Sequence, residues 1–312
     1  MHPKAPLVSI FICTYNQESY IRETLDSLLM QDCDFNYEIV IAEDKSSDRT
    51  LDICQEYARK NEGKINILSR QKNIGLIENF FQGITKCKGK YIAMCGGDDY
   101  WTDETKLQKQ VAFLESHDDY VITYTDSVMI NDNGDEISNT EVGIENLRDF
   151  SKPELQKGAF ISPRAMMFRN VLDFNEINYS GIFQEDAFLI SLLGEYGKGK
   201  FLDDIQPSIY RILKNGIWSS QTEIERLFSS RSTFKRLIFL HKNKPEINRY
   251  YKDLVHHNMS RALYLSISHK KTKYVIKSYL IGLTLKQNWS KLNLFLNINK
   301  DFLSYFFQRK YR

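Results

Sequence analysis

The sequence has no apolar run approaching the ~18 residues that a membrane-spanning helix requires. Its one apolar stretch near the start, Leu7–Cys13, has neither a basic flank nor a small-residue cleavage site, so export is not expected. Cysteine is scarce: five residues, an odd number, all within the first third and without a CxxC pair. That argues against a disulfide framework, a zinc ribbon or a redox dithiol, and for a reduced, cytoplasmic setting. In such a setting the Asn-x-Ser matches at Asn178, Asn258 and Asn288 carry no expectation of glycan. The pair His256–His257 lacks a third ligand at metal spacing. No internal repeat, low-complexity tract or recognised nucleic-acid motif is present, and nucleic acid is not expected as a partner. The glycine fingerprint of a dinucleotide fold is missing after the first strand, and Gly83–Lys90 has the wrong spacing for a phosphate loop.

What is present is an ordinary globular composition: 312 residues, 42% apolar and 26% charged, enough for a sizeable core and roughly two domains. The net charge of +2 hides an asymmetry. Residues 241–312 carry 15 Lys/Arg against three acids, so an acidic body is followed by a basic tail segment.

Periodicity predicts alternating strands and helices. Strands are expected at Leu7–Thr14, Tyr37–Ala42, Lys64–Ser69, Tyr91–Cys95 and Tyr120–Ile130, with helices at Glu18–Gln31, Asp48–Asn61, Ile77–Lys86 and Lys106–Ser116. This is the pattern of βαβ units on a mostly parallel sheet, an α/β fold. After the Asn131–Gly134 turn, a polar surface loop is expected over Ser138–Lys157, a strand over Ala159–Phe168 and a helix over Glu185–Tyr196. From Thr222 the pattern becomes helical, which sets an expected division into 1–222 and 223–312.

Ligands of a parallel sheet bind beyond the carboxyl ends of its strands. Those exits carry Thr14-Tyr15-Asn16, Glu43-Asp44 and Lys72-Asn73-Ile74-Gly75: an aromatic ring to stack a base, a carboxylate to accept its ring N–H, and a permissive glycine. Asp48 is expected to cap the helix behind the second strand. The fourth strand runs into Gly96-Gly97-Asp98-Asp99-Tyr100-Trp101. Adjacent carboxylates raise each other's pKa unless a cation sits beside them, and hard oxygen ligands suit Mg²⁺ or Mn²⁺ completed by substrate phosphates. A plain Gly/Asp turn is the competing reading of the same residues.

Taken in order, these segments, with Ser46-Ser47-Asp48-Arg49-Thr50 between them, resemble the family 2 glycosyltransferases of the GT-A fold over about the first 220 residues. The resemblance implies a Rossmann-like, mixed but mostly parallel sheet flanked by helices. It places Thr14, Tyr15, Asn16, Asp44 and Gly75 at the donor nucleotide, and Asp98 and Asp99 at the ribose and at a divalent cation, Mn²⁺ or Mg²⁺, on the diphosphate. Asp186, in Gln184-Glu185-Asp186-Ala187-Phe188, is implied as the general base of an inverting transfer. Arg211 and Trp218, in the segment Ser208–Ser219, are implied at the leaving group and a sugar. Two positions depart from the pattern: Gly96 stands where an acid often precedes the pair, and Leu213 where many members carry histidine.

The expected activity is transfer of a sugar from a nucleotide diphosphate donor, a UDP-sugar, to a saccharide hydroxyl, including a lipid-linked acceptor, in capsule, O-antigen or exopolysaccharide assembly. The alternative is a non-catalytic nucleotide-sugar-binding subunit, favoured only by Gly96 and Leu213. Aromatic residues interleaved with Lys and Arg in 287–312 add an expectation of peripheral contact with an anionic membrane at its cytoplasmic face. Met166 and Met167 receive no role.

Overall fold

The computed structural model describes residues 5–278 apart from Asn215, Ile217, Trp218, Lys270 and Thr272. Trp218 and the membrane-contact segment 287–312 therefore lie outside the described residues. The chain forms two units: residues 1–179 with 185–214, and residues 180–184 with 215–312. The division falls at Lys214 rather than at Thr222, and Ser180–Gln184 goes with the second unit. Thr222 marks only the start of a helix, which is what a change of periodicity detects.

The first unit opens with β1 (Val8–Thr14), α1 (Ile21–Leu29), β2 (Tyr37–Glu43), α2 (Thr50–Lys60), β3 (Ile65–Ser69), α3 (Leu76–Ile84), β4 (Tyr91–Gly96) and α4 (Lys106–Ser116). There follow β5 (Tyr120–Tyr124), β6 (Ser127–Ile130), β7 (Glu136–Ser138), α5 (Lys152–Gln156), β8 (Met167–Arg169), α6 (Glu185–Leu193), β9 (Lys198–Phe201) and β10 (Ser208–Arg211). Seven strands form one sheet in the order β3-β2-β1-β4-β8-β5-β9. Neighbours run parallel except β8, which is antiparallel to both β4 and β5. A smaller sheet has the order β10-β6-β7.

The apolar runs of β1, β2 and β4 are buried on both faces, as parallel strands between helices must be. Val8, Ile10 and Ile12 pack with Ile21, Leu25 and Leu28 of α1 and with Leu107, Val111 and Leu114 of α4. The intervening Phe11 meets Phe80 of α3 edge-on at 5.4 Å. The ladder pairs Thr14 with Glu43, Glu43 with Ser69 and Cys13 with Gly96, so four strands end level and their exits share one edge. The chain reverses its winding between β1 and β4, which is where such a sheet opens a crevice.

Three expectations need correction. The strand over Tyr120–Ile130 is two strands in different sheets, because Asp126 interrupts it: its Oδ1 accepts the Ser127 N–H at 2.7 Å, and its carbonyl accepts the Ser208 N–H at 3.1 Å, drawing β6 away to β10. The surface loop over Ser138–Lys157 contains α5 and buries Val142, Phe150 and Leu155. The strand over Ala159–Phe168 shrinks to β8, since Pro163 starts a turn of 3-10 helix that runs to Ala165.

In the second unit, α7 (Glu223–Leu240) begins with a reciprocal cap, Thr222 Oγ1 accepting the Glu225 N–H and the Glu225 carboxylate accepting the Thr222 N–H. It packs on α8 (Pro245–Ser268) through Val255, Met259 and Ala262 against Leu227, Phe228, Phe234 and Ile238. Ser180–Gln184 is fastened to α7 by the Phe183 and Gln184 N–H groups, which both donate to Thr233 Oγ1. No helix among the described residues is long and apolar enough to cross a membrane.

Candidate active site

At the exit of β1 the chain turns on Asn16, whose φ is +53°. The turn is held from the next exit: Asn16 Oδ1 accepts the Ser47 N–H at 2.8 Å, and the Asn16 N–H donates to Ser46 Oγ at 3.0 Å. Asn16 thus joins two loops, while Tyr15 beside it is left 46% exposed, an aromatic face at the sheet edge. Thr14 is buried, and its hydroxyl donates to Gln17 Oε1 at 2.7 Å. Asp48 is not the cap expected of it: Arg49 holds the position before α2 and makes no side-chain cap, while Asp48 Oδ1 accepts the Thr50 N–H at 2.9 Å from one residue further back.

Asp44 is buried, and each of its oxygens is already engaged: Oδ1 accepts the Ile74 N–H and Oδ2 the Gly75 N–H, both at 2.8 Å. Gly75 has φ +84°, a conformation that a side chain strains, and it starts α3. The carboxylate therefore fixes the loop on which a base would rest, and keeps a second lone pair on each oxygen.

Asp98 and Asp99 differ sharply in surroundings. Asp99 Oδ2 accepts from Arg164 Nε at 2.8 Å and Oδ1 from the Arg211 N–H at 3.0 Å. Asp98 has no arginine on its carboxylate; the Gln17 side chain hydrogen-bonds it. Burial first, and the Asp99 charge second, push the Asp98 carboxyl up to about 7, and burial likewise raises Asp99. The departure at Gly96 has a steric cause: a Cβ there would lie 2.5 Å from Asp99 Oδ2, so the Asp99 carboxylate fills the room an acid at 96 would need. Arg211 is buried, with Nη2 donating to Glu23 at 2.7 Å and Nε to the Asp98 carbonyl at 3.3 Å.

Glu185 and Asp186 start α6, both half-buried. Burial and then the neighbouring Asp186 charge raise Glu185 to about 8, and burial raises Asp186 as well. Arg164, to which the sequence assigns no role, touches the first acid pair and is near enough for its charge to act on the second. It bonds Asp99 through Nε and Glu141 through Nη1, lies 3.7 Å from the centroid of the Tyr210 ring, and lowers the pKa of Glu185 and Asp186 by its charge. Its turn is anchored from below: its carbonyl accepts from Trp101 Nε1 at 2.8 Å, and the Ala165 carbonyl from Lys106 Nζ at 2.8 Å. Lys106 is wholly buried, which lowers its pKa to about 7. An arginine inside the apolar run 159–168 was the available signal. Glu141, within a polar stretch, offered none. Met166 and Met167 are core.

Asp98 fits a divalent cation. A half-buried carboxylate with a raised pKa beside a second acid is short of positive charge, and one or two carboxylates plus phosphate oxygens make a normal Mg²⁺ or Mn²⁺ shell. Among the described residues no three His, Cys, Asp or Glu side chains gather into a protein-only cage.

This edge, with the loops after β1–β3 and an acid turn after β4, is that of the GT-A class of fold. The same fold is seen in S. aureus TarS in complex with UDP-GlcNAc (18% identity, 96% of this chain and 81% of that one, TM-score 0.61). It recurs in the mannosyltransferase PcManGT from Pyrobaculum calidifontis in complex with GDP-Man and Mn²⁺ (14%, 97% and 86%, TM-score 0.57). The family model for glycosyl transferase family 2 matches residues 9–174, and the chain belongs to that family. An uncharacterized protein of Mycobacterium tuberculosis is 33% identical over 221 residues, 71% of this chain and 63% of that protein's length. The Bacillus subtilis protein TuaG, whose name assigns it to teichuronic acid biosynthesis, is 34% identical over 109 residues, 35% of this chain and 42% of its own. The chain thus spans less than two thirds of the length of these relatives.

Proposed function

We propose that the chain is an inverting glycosyltransferase that moves a sugar from a nucleotide diphosphate donor, a UDP-sugar, to a saccharide hydroxyl during cell-envelope polysaccharide assembly. The observation that carries this reading is the pair of acid pairs, Asp98/Asp99 and Glu185/Asp186, within reach of the charge of one arginine, Arg164, which is paired with Asp99 at 2.8 Å. Family membership supports the activity, and the ligand of TarS supports a UDP-sugar.

In this reading Tyr15 stacks the base, Thr14 and Asn16 shape the loop beneath it, and Asp44 with Gly75 forms the neighbouring wall. Asp98, with Asp99 behind it, holds a divalent cation, as the Mn²⁺ of PcManGT suggests. When bound, that ion neutralises charge on the departing diphosphate. Arg211, between the Tyr20 and Tyr100 rings, adds positive charge beside the Asp98 turn; Trp218 is assigned to the sugar. Asp186 takes the proton of the acceptor hydroxyl as that oxygen attacks the anomeric carbon opposite the leaving group. Burial raises the proton affinity of Asp186 above the ordinary carboxylate range, which makes it a stronger proton acceptor.

A thermal-shift titration with UDP, GDP, CMP and dTDP, each with and without Mn²⁺, tests the donor site. Metal-dependent stabilisation by UDP is expected; no shift with any of them counts against a nucleotide site altogether, and hydrolysis of a bound donor separates the enzyme from a non-catalytic nucleotide-sugar-binding subunit. Product anomers identified by NMR then test inversion.

For the membrane surface, support among the described residues comes from the α7–α8 turn. Phe239 and Leu240 are 62% and 41% exposed there, and Phe239 lies between Arg236 and Lys242 at 5.6 and 5.4 Å. Residues 231–244 hold five Lys/Arg and no acid. Apolar tips among cations suit an anionic lipid interface on the cytoplasmic side. Phe239→Ser with Leu240→Ser, or removal of 287–312, should reduce flotation with phosphatidylglycerol vesicles; unchanged flotation for both sinks the idea.

A further inference from the structure

The acid turn, the base pair and the nucleotide edge leave one buried polar atom without a task. The Glu141 side chain is only 8% exposed, and Arg164 Nη1 donates to its Oε1, yet Oε2 is buried without any hydrogen-bond partner. A carboxylate oxygen stripped of water and left unpaired is expensive, and folded proteins avoid it unless something else fills the vacancy.

We propose that Glu141 is a recognition residue for the donor sugar, its Oε2 accepting a hydrogen bond from a ring hydroxyl. The proposal rests on the glycosyltransferase reading above and adds to it a subsite outside the motifs that carry that reading.

Position supports it. Glu141 and Asp99 share one guanidinium, Arg164 Nη1 donating to Glu141 Oε1 and Arg164 Nε to Asp99 Oδ2 at 2.8 Å, so Glu141 lies next to the acid turn, and its charge also reaches Asp186. In an inverting transfer, the group between the leaving diphosphate and the base is the donor's sugar ring. Rigidity supports it too. The Glu141 N–H donates to Asp126 Oδ1 at 3.3 Å, the same oxygen that holds Ser127 at the head of β6, and Arg164 fixes the carboxylate from the other side. A receptor group held on two sides loses little entropy on binding.

Charge selects the kind of ligand. Oε2 belongs to a carboxylate whose arginine is shared with the Asp99 carboxylate, which repels a phosphate or another carboxylate, and the cation that Glu141 needs is already present as Arg164 on Oε1. A neutral O–H donor satisfies Oε2 without adding charge, and sugar hydroxyls are such donors. A carboxylate accepting from a hydroxyl discriminates strongly against a sugar that lacks it.

The test compares affinities for UDP-GlcNAc, GDP-mannose and the corresponding bare diphosphates UDP and GDP, by calorimetry with Mn²⁺, in the full-length protein and in Glu141→Ala. The expected result is a loss of roughly tenfold to a hundredfold in affinity for the nucleotide-sugar that wild type prefers, with affinity for its bare diphosphate unchanged. Equal affinities of wild type and variant for the nucleotide-sugar overturn the proposal. Parallel loss for sugar-bearing and bare nucleotides also overturns it, since that is the signature of an Arg164 support. If Glu141→Ala melts early, Glu141→Asp, which keeps the charge but withdraws it by one methylene, should show the same selective loss. A wild-type protein that binds none of the four brings down the glycosyltransferase reading itself, so the two failures are told apart.

Discussion

The two halves of the catalytic unit present function in different ways. From β1 to β4 every candidate residue stands at a strand exit, in a loop whose backbone is fixed by its neighbours: Asn16 by Ser46 and Ser47, Gly75 by Asp44. From β5 onward the elements are short, two sheets share the strands, and the influential side chains, Glu141 and Arg164, lie between elements rather than at their ends. In the proposed reading the first half is an ordered scaffold for a constant ligand part, the nucleotide. The second is a knot of buried charges built around one arginine, suited to whatever differs from one substrate to another.

The sharpest way to separate the halves is to remove the base. Asp186→Asn should lower turnover by about 10²–10⁴-fold while leaving nucleotide affinity near wild type, because the nucleotide loops do not depend on α6; turnover close to wild type removes Asp186 from the chemistry. Arg164→Met attacks the knot directly. It leaves Asp99 and Glu141 buried without their cation, and breaking such a buried pair typically costs about 3–5 kcal/mol, readable in a urea midpoint. A stability change no larger than that of an average surface substitution would mean that the charges are solvated after all.

On the scaffold side the expected effects are smaller. Gly75→Ala forces a side chain into a left-handed conformation and should destabilise by about 1 kcal/mol, with a matching weakening of nucleotide affinity as the Asp44 contacts loosen. The mildest experiment uses pH alone. Asp98 and Glu185 bind protons in the folded state up to about 7 and about 8, above their ordinary carboxylate ranges, so between about pH 5 and 8 the native state holds protons that the unfolded chain releases. Their contribution to stability is present below that window and lost as pH rises through it. The melting temperature of the metal-free protein should therefore fall across it by a few degrees, and Asp98→Asn together with Glu185→Gln should flatten the slope.

The same contrast explains what could be read from the chain. Continuous apolar strands followed by one-faced helices made β1 to β4 legible to within a few residues, and the loop motifs at their exits stood out because turns need particular residues. The break at Asp126 was hidden, since both sides of it are apolar and only the tertiary pull of Ser208 separates them. Phe150 and Leu155 looked like parts of a solvated loop because their apolar positions follow no period. Arg164 was overlooked for a related reason: a charge matters here through partners at positions 99 and 141, which no local window contains.

The crowding at Gly96 reaches beyond the acid turn. Because the Asp99 carboxylate occupies the space above Gly96, with Arg164 fastening it there, positions 96, 99 and 164 form a single steric and electrostatic unit. An acid at 96 evicts the Asp99 carboxylate and strands the arginine. In this chain Gly96→Asp should therefore destabilise the fold, and combining it with Arg164→Met should cost less than the sum of the two single changes.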